Sequence, residues 1–352
     1  MEDREGDEMR KPKTFWSYWD LKKNPFGNIE TANDVFESNE MTRAMDHLAE
    51  AVEEGGIYSI TGERGIGKTT VKNEMIQYLT GDTKRFACSV LESMDMQLVR
   101  MTTIHAALVT DLSNEKPNGF AENRARQVKR ILGGLSSSRK RAVLLIDEAQ
   151  NVRFPTMESL KMLTEMRWAL QTRCMITIML FGQPILDMRL ARDEGLRLRV
   201  TPFQMRGLTA DEVLQYIDLR CRVAGGNKDD IFNADALTYI AQSQHSPLHI
   251  NGICSHCMRA ARSAGEKKVT IEMLYACGGI RSPKTILREN GLTIHKFAEI
   301  SGLSERTVNR ILNGQTVNDD QKNKFDDGMG IITRSDGDDP PSPELRRDRK
   351  AV

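Results

Sequence analysis

No run of apolar residues in this chain approaches the roughly 18 that a membrane-crossing helix needs, so no transmembrane segment is expected. The amino terminus, Met1-Glu2-Asp3-Arg4-Glu5, lacks the apolar stretch of a signal peptide. An excess of one charge is also missing. With 50 Lys and Arg against 49 Asp and Glu, the molecule is no polycation, and any nucleic-acid binding has to come from local patches. Cysteines are few and scattered. The six (Cys88, Cys174, Cys221, Cys254, Cys257 and Cys277) read as reduced thiols of a cytoplasmic protein, not as a disulfide framework. Cys254-Ser255-His256-Cys257 has the spacing of half a metal site. No second CxxC or HxxxH completes it, and its helical surroundings point to packing. The 352 residues leave room for two or three domains.

One stretch carries most of the information. Gly62-Glu63-Arg64-Gly65-Ile66-Gly67-Lys68-Thr69 fits G-x-x-x-x-G-K-[ST], and lies between a β-branched run, 57–61, and a helix-like run from Thr70. Glycines let backbone N–H groups wrap phosphates, and the helix start adds its dipole to the same anion. Lys68 is expected on the β- and γ-phosphates of ATP, with Thr70 closing the loop and the Thr69 hydroxyl on Mg²⁺. A second stretch, Ala142-Val143-Leu144-Leu145-Ile146-Asp147-Glu148, is apolar on both faces, as a buried parallel strand is, and ends in two acids. Asp147 would serve the Mg²⁺ shell; Glu148 would orient and deprotonate the attacking water.

The remaining chain is read more coarsely. Residues 1–13 are charged and expected to be mobile. Phe15-Trp16-Ser17-Tyr18-Trp19 is an aromatic cluster suited to packing on the sheet edge, or to stacking on adenine or a neighbouring subunit. Residues 40–53, 95–112 and 156–172 read as helices, 85–90 and 175–181 as strands. The segment 121–141 holds seven basic residues against Glu122, with Gly133 to Ser138 read as a flexible loop. Arg124, Lys129, Arg139 and Lys140 are candidates for DNA-phosphate contact, the alternative being a solvated helix face. Gln183, after the strand 175–181, is placed to sense the γ-phosphate or help place the water, and Arg197 or Arg199 to reach a neighbouring subunit's nucleotide as a finger, the alternative being surface arginines in salt bridges.

Together these motifs resemble the AAA+ ATPases of the ExeA/GspA-like and DNA-transposition (MuB, TnsC and TniB-like) group. The similarity rests on Asn24-Pro25-Phe26, Thr61 to Thr70, Ile146-Asp147-Glu148-Ala149-Gln150-Asn151, Phe181-Gly182-Gln183-Pro184, Leu208 to Glu212 and Arg220 to Gly225. It implies an α/β fold with a five-stranded parallel sheet over 14–207, a helical lid over 208–280, ATP as nucleotide, and active sites shared in a ring or helical filament of identical subunits. One departure is visible. Where the group often has a lid Gly-x-Pro-Arg turn, this chain reads Ser246-Pro247-Leu248-His249. Either His249 substitutes in part or the lid senses nucleotide without a cation, and a slow, switch-like ATPase follows.

Residues 281–331 read as a separate helical unit, and 332–352 as a disordered tail. Ile294 to Leu312 matches a helix-turn-helix of the Cro/repressor class, with Phe297, Ala298, Leu303, Val308 and Ile311 as apolar contacts and Gly302 at the turn. Thr293 and Ser304 are N-cap residues, and Asn313-Gly314 ends the second helix. Ser304, Glu305, Arg306 and Asn309 would face bases, with Thr307 and Arg310 on phosphates; docking of a protein is the alternative. The expected function is an ATP-dependent regulator of transposition that assembles on double-stranded DNA and recruits a transposase, with no membrane partner. An ATP-gated operator reader is the alternative, and an ExeA-like secretion ATPase a third.

Overall fold

Three of the strands, 56–61, 141–146 and 176–182, form where the chain is buried on both faces. The computed structural model describes residues 14–29, 31, 34–91, 99–168, 174–277, 283–312 and 317–334. The readings made for 1–13, Asn313-Gly314 and most of the carboxyl-terminal tail lie outside these. Five strands, β1 (Gly56–Thr61), β2 (Phe86–Leu91), β3 (Arg141–Ile146), β4 (Ile176–Gly182) and β5 (Val200–Gln204), form one parallel sheet in the order β2-β3-β4-β1-β5. The α/β class and the five-stranded parallel sheet read from the sequence are those of the structure.

Side chains alternate between two cores, as a pleated strand requires. Leu144, Ile146, Ile176, Ile178 and Leu180 enter one; Val143, Leu145, Met179 and Phe181 enter the other. The second core is closed by α1 (Asn39–Glu54) and α2 (Lys68–Gly81), whose Met41, Ala44, Leu48 and Ala51, and Val71, Met75 and Leu79, recur at helical spacing. Ser38 caps α1 by accepting from the Met41 N–H at 3.1 Å. The first core is closed by α3 (Met101–Leu112), α4 (Ala121–Ser137), α5 (Phe154–Glu165), α6 (Ile185–Leu190) and, through Leu196, α7 (Glu194–Arg197).

Two readings are corrected at this level. Helix α4 runs through Gly133-Gly134 instead of opening into a loop. The ring of Trp168 lies where a side chain at 133 would be, so that glycine serves close packing and not flexibility; a Cβ there would stand 2.1 Å from Trp168 Cδ2. Helix α5 stops at Glu165, with 166–168 irregular, short of the expected 172.

A helical layer follows β5: α8 (Ala210–Val223), α9 (Lys228–Ile231), α10 (Ala234–Ser243) and α11 (Pro247–Ala264). Helix α8 starts on a capping box between Thr209 and Glu212. Cys221, Cys254 and Cys257 are fully buried, and burial raises the Cys254 thiol well above the ordinary value and that of Cys221 to about 12. They are packing residues, and the described residues hold no cluster suited to a metal. The aromatic cluster packs on this layer, not on the sheet edge. Tyr18 Oη donates to the Gly265 carbonyl at 2.9 Å, Trp19 Nε1 to that of Lys267 at 2.7 Å, and Arg259 stacks 4.2 Å from the Phe15 ring centroid.

Helix α12 (Ile271–Cys277) crosses the boundary between two compact units, Met1–Ile271 and Glu272–Val352. The second unit holds α13 (Pro283–Glu289), α14 (Ile294–Ser301), α15 (Glu305–Leu312) and α16 (Asp319–Arg334). Leu287, Phe297, Ala298, Val308, Phe325 and Ile332 form its own core. Among the described residues no helix is long and apolar enough to cross a membrane.

Candidate functional site

The register of three neighbouring strands brings distant motifs to one edge. Thr61 is level with Gly182, and Leu180 with Ile146, so the residues that follow β1, β4 and β3 emerge together at the carboxyl end of the sheet. There Arg64, Gly65, Ile66, Gly67, Lys68, Thr69 and Thr70 line a cavity of about 760 Å³ with Asp147, Glu148 and Gln183.

The loop has the backbone a phosphate cradle needs. Gly65 and Gly67 sit at φ 74° and 111°, a region other residues enter at a cost. Nothing lies within 4 Å of the space beside Gly67, so its conformation alone asks for glycine. Gly67 precedes the first turn of α2, whose N–H groups have no partner within the helix. Lys68 Nζ donates to the carbonyls of Gly62 and Glu63 at 2.7 and 2.8 Å. Burial pushes this ammonium below the ordinary lysine value, and the charges of Glu148 and Asp147 push back. A partly desolvated cation beside free helical N–H groups fits a polyphosphate. Thr69 and Asp147 supply hard oxygen donors to the same cavity and fit Mg²⁺.

The acids are held by residues that the motifs alone do not identify. Asp147 Oδ2 lies 2.7 Å from the Nζ of Lys72, a lysine only 8% exposed, and Oδ1 accepts from the Glu148 N–H at 2.8 Å. Glu148 has φ 47° and ψ 38°, a left-handed backbone that costs a non-glycine residue about 1 kcal/mol or more. Its Oε2 accepts from Gln150 Nε2 at 2.5 Å, and Gln150 Oε1 accepts from the Gln183 N–H at 3.1 Å. Spacing gives one hint of this shell: Lys72 lies one helical turn beyond Lys68, a cation where α2 turns inward.

The other end of the cavity is walled by Gly27, Asn28, Ile29, Val35, Phe36, Leu208, Tyr216 and Asn251. The turn at 24–27 closes on the Asn24 side chain, which accepts from the Phe26 N–H at 3.0 Å. Arg220 of α8, 4% exposed, clamps it by donating to the carbonyls of Pro25 at 2.6 Å and Gly27 at 2.5 Å. Tyr216 Oη donates to Asn251 Oδ1 at 2.8 Å and joins α8 to α11. At the start of α11, Leu248 and Asn251 line the cavity while His249 is exposed and does not. Leu248 N donates to the Gly65 carbonyl at 3.3 Å. Of the two readings of this turn, the placement supports the lid without a cation.

The remaining expected site residues lie elsewhere. Arg197 is exposed on α7 with no ion pair among the described residues. Arg199, in contrast to the free finger read for it, pairs with Glu165 at 2.7 Å and donates to the Gly195 carbonyl. Both partners are about half exposed, so the pair contributes at most about 1 kcal/mol. Arg124 is not open to a phosphate: its guanidinium donates to the carbonyls of Thr102, Asn118 and Gly119. Lys129 and Arg139 are exposed and Lys140 half-buried, Arg139 at φ 59° past the end of α4.

In the second unit, α14 and α15 are joined through Gly302 at φ 65°, and Gly328 of α16 packs so close to Ser301 that a Cβ there would stand 2.9 Å from it. Thr293 caps α14 and Ser304 accepts from the Thr307 N–H at 3.1 Å, so Ser304 is occupied as a cap. Ser304 also shares a hydrogen bond with the Thr307 hydroxyl. Glu305 is held by His295 Nδ1 at 2.7 Å, which draws it away from the base-facing role read for it. Arg306, Asn309 and Arg310 are exposed on α15.

Known proteins bear on this geometry. Residues 51–190 match the AAA domain family. General secretion pathway protein A of Aeromonas hydrophila is 27% identical over 282 residues, covering 77% of this chain, and the chain spans about half of that relative, 50% of its length. Among solved structures, Cdc6p of Pyrobaculum aerophilum superposes with a TM-score of 0.55 at 15% identity, over 92% of this chain and 87% of its own. The Drosophila ORC bound to DNA gives 0.53 at 15% identity, over 99% and 87%. The ORC2 protein of Aeropyrum pernix, in ADPNP and ADP complexes, gives 0.52 at 12% identity, over 93% and 88%. At these identities the likeness is one of fold. The chain has the α/β fold of these solved structures, it matches the AAA domain model over 51–190, and it is similar over most of its length to the secretion-pathway protein.

Proposed function

We propose that this AAA+ protein is a slow, switch-like ATPase that binds double-stranded DNA in its ATP state and regulates DNA transposition by recruiting or activating a transposase. The observation that carries the reading is the pairing, in one chain, of a formed phosphate cradle facing two acids with a second compact unit whose α15 exposes Arg306, Asn309 and Arg310. In this reading Lys68 and the loop amides hold the ATP phosphates, and Glu148 takes the proton of the attacking water. Thr69 and Asp147 would hold Mg²⁺, which would supply neutralisation of the phosphate charge. Gln183 stands at the γ-phosphate end. Arg197, exposed and without an ion pair among the described residues, is the better placed of the two arginines to act on a neighbour's nucleotide in a ring or filament of identical subunits. The cavity-lining Leu248, in a turn that brings no cation, agrees with slow turnover.

Helix α15 would enter the major groove. Lys129, Arg139 and Lys140 are separate candidates for phosphate contact on the first unit. The test is a titration of the protein on random-sequence duplex with ATP, with ADP and without nucleotide, followed in parallel by negative-stain microscopy. Tight binding and assembly only with ATP supports the reading. Binding confined to one sequence, with a specificity ratio of about 10³ or more, replaces it with an operator reader. The Aeromonas relative favours a second reading, a motor of secretion, which gains if no duplex is bound in any nucleotide state.

A further inference from the structure

Gln150 belongs to neither the phosphate loop nor the pair of acids, yet it touches both ends of the catalytic edge. Its side chain is 7% exposed. Oε1 accepts from the backbone N–H of Gln183 at 3.1 Å, and Nε2 donates to Glu148 Oε2 at 2.5 Å. The reversed amide would set carbonyl against carboxylate and NH₂ against N–H, so its two partners fix its orientation. Gly182 leaves it the room: a Cβ at 182 would stand 2.7 Å from Oε1. Both attachment points are themselves constrained. Glu148 sits on a left-handed backbone, and Gln183 directly follows the last paired residue of β4, where its side chain lines the cavity.

We propose that Gln150 is a positioning residue for hydrolysis, a rigid bridge that makes the orientation of the Glu148 carboxylate depend on the position of the Gly182-Gln183 backbone. The inference rests on reading Glu148 as the base. A displacement at Gln183 moves the buried amide, and the amide turns the carboxylate, because the amide is held at both ends and a hydrogen bond weakens steeply with misalignment. Gln150 contacts no phosphate site and acts only through Glu148, so it affects the chemical step and not nucleotide affinity.

The experiment is a double-mutant cycle on the full chain, Gln150→Leu with Glu148→Gln, read by single-turnover hydrolysis of labelled ATP and by fluorescent-nucleotide binding. Gln150→Leu is expected to lower the hydrolysis rate about tenfold, as loss of one charge-assisted hydrogen bond does. It should leave nucleotide affinity within about twofold and have no further effect on the residual rate of Glu148→Gln. Gly182→Ala, which crowds the amide from the other side, is expected to reproduce the rate loss. A wild-type rate in Gln150→Leu overturns the inference. So does an equal factor lost with and without Glu148, or an affinity loss that accounts for the rate. If Glu148→Gln itself hydrolyses ATP at the wild-type rate, the base assignment fails, and the inference with it. If Glu148→Gln is inactive while Gln150→Leu is normal, only the bridge is refuted.

Discussion

Replacing Arg220 with Met tests how the nucleotide cavity is walled. Methionine retains much of the aliphatic stem, so the change removes chiefly the guanidinium, whose carbon lies 6.0 Å from the Tyr216 ring centroid. Two hydrogen bonds from a buried cation to the carbonyls of Pro25 and Gly27 are lost. Each is worth about 1.5 kcal/mol net, so the pair is worth about 3 kcal/mol. In a unit this size, each kcal/mol moves the melting midpoint by about 2–4 °C, which predicts a fall of about 6–12 °C in calorimetry. The loss has a second consequence. The turn it releases carries Gly27, Asn28 and Ile29 into the cavity wall, so fluorescent-nucleotide affinity should drop about tenfold or more. Arg220→Lys should fall between, since one ammonium does not reproduce the fork that spans two carbonyls. A variant that melts within about 2 °C of the parent and binds nucleotide equally would refute the reasoning.

Other substitutions address the chemistry and the second unit. Lys68→Ala should remove nucleotide binding, to be seen in equilibrium titration, and ATP-dependent assembly on DNA with it. Glu148→Gln should keep ATP binding, stop hydrolysis and hold the protein on DNA, with lifetimes measured by single-molecule imaging. Arg306→Ala should weaken duplex binding by the full chain about tenfold while ATP affinity stays unchanged. His295 should titrate above the ordinary histidine value in NMR spectra, because its hydrogen bond to Glu305 and the charges of Glu299 and Glu305 favour the imidazolium. Since the folded value lies above the unfolded one, the stabilisation is present in full below about pH 6.5 and is lost as pH rises through the raised value. His295→Ala should remove that pH dependence from the melting of the carboxyl-terminal unit.

The glycine-rich loop was legible because its pattern is written in consecutive residues. Gly62 to Thr69 need only a strand before and a helix after, and both are local patterns. Asp147 and Glu148 were legible for a related reason: a doubly buried strand reads as an unbroken apolar run, and its end marks the sheet edge. Gly133-Gly134 misled because glycine has two uses. In α4 the space beside Gly133 is filled by the ring of Trp168, a contact between residues 35 positions apart that no local signal announces. The aromatic cluster was legible as a packing unit, but its hydrogen-bond partners, Gly265 and Lys267, come from 247 and 248 positions further along the chain.

By itself the sequence determined the parallel α/β sheet, the cradle and the acids, each a matter of periodicity or of backbone freedom within a few residues. Only the tertiary structure decided which side chains hold those parts in place. Lys72 meets Asp147, Gln150 joins Glu148 to Gln183, and Arg220 clamps the turn at 24–27 because strand register and helix packing bring together groups that are remote along the chain. Hydrogen bonds and ion pairs act over about 3 Å of space, and distance along the sequence carries no measure of it.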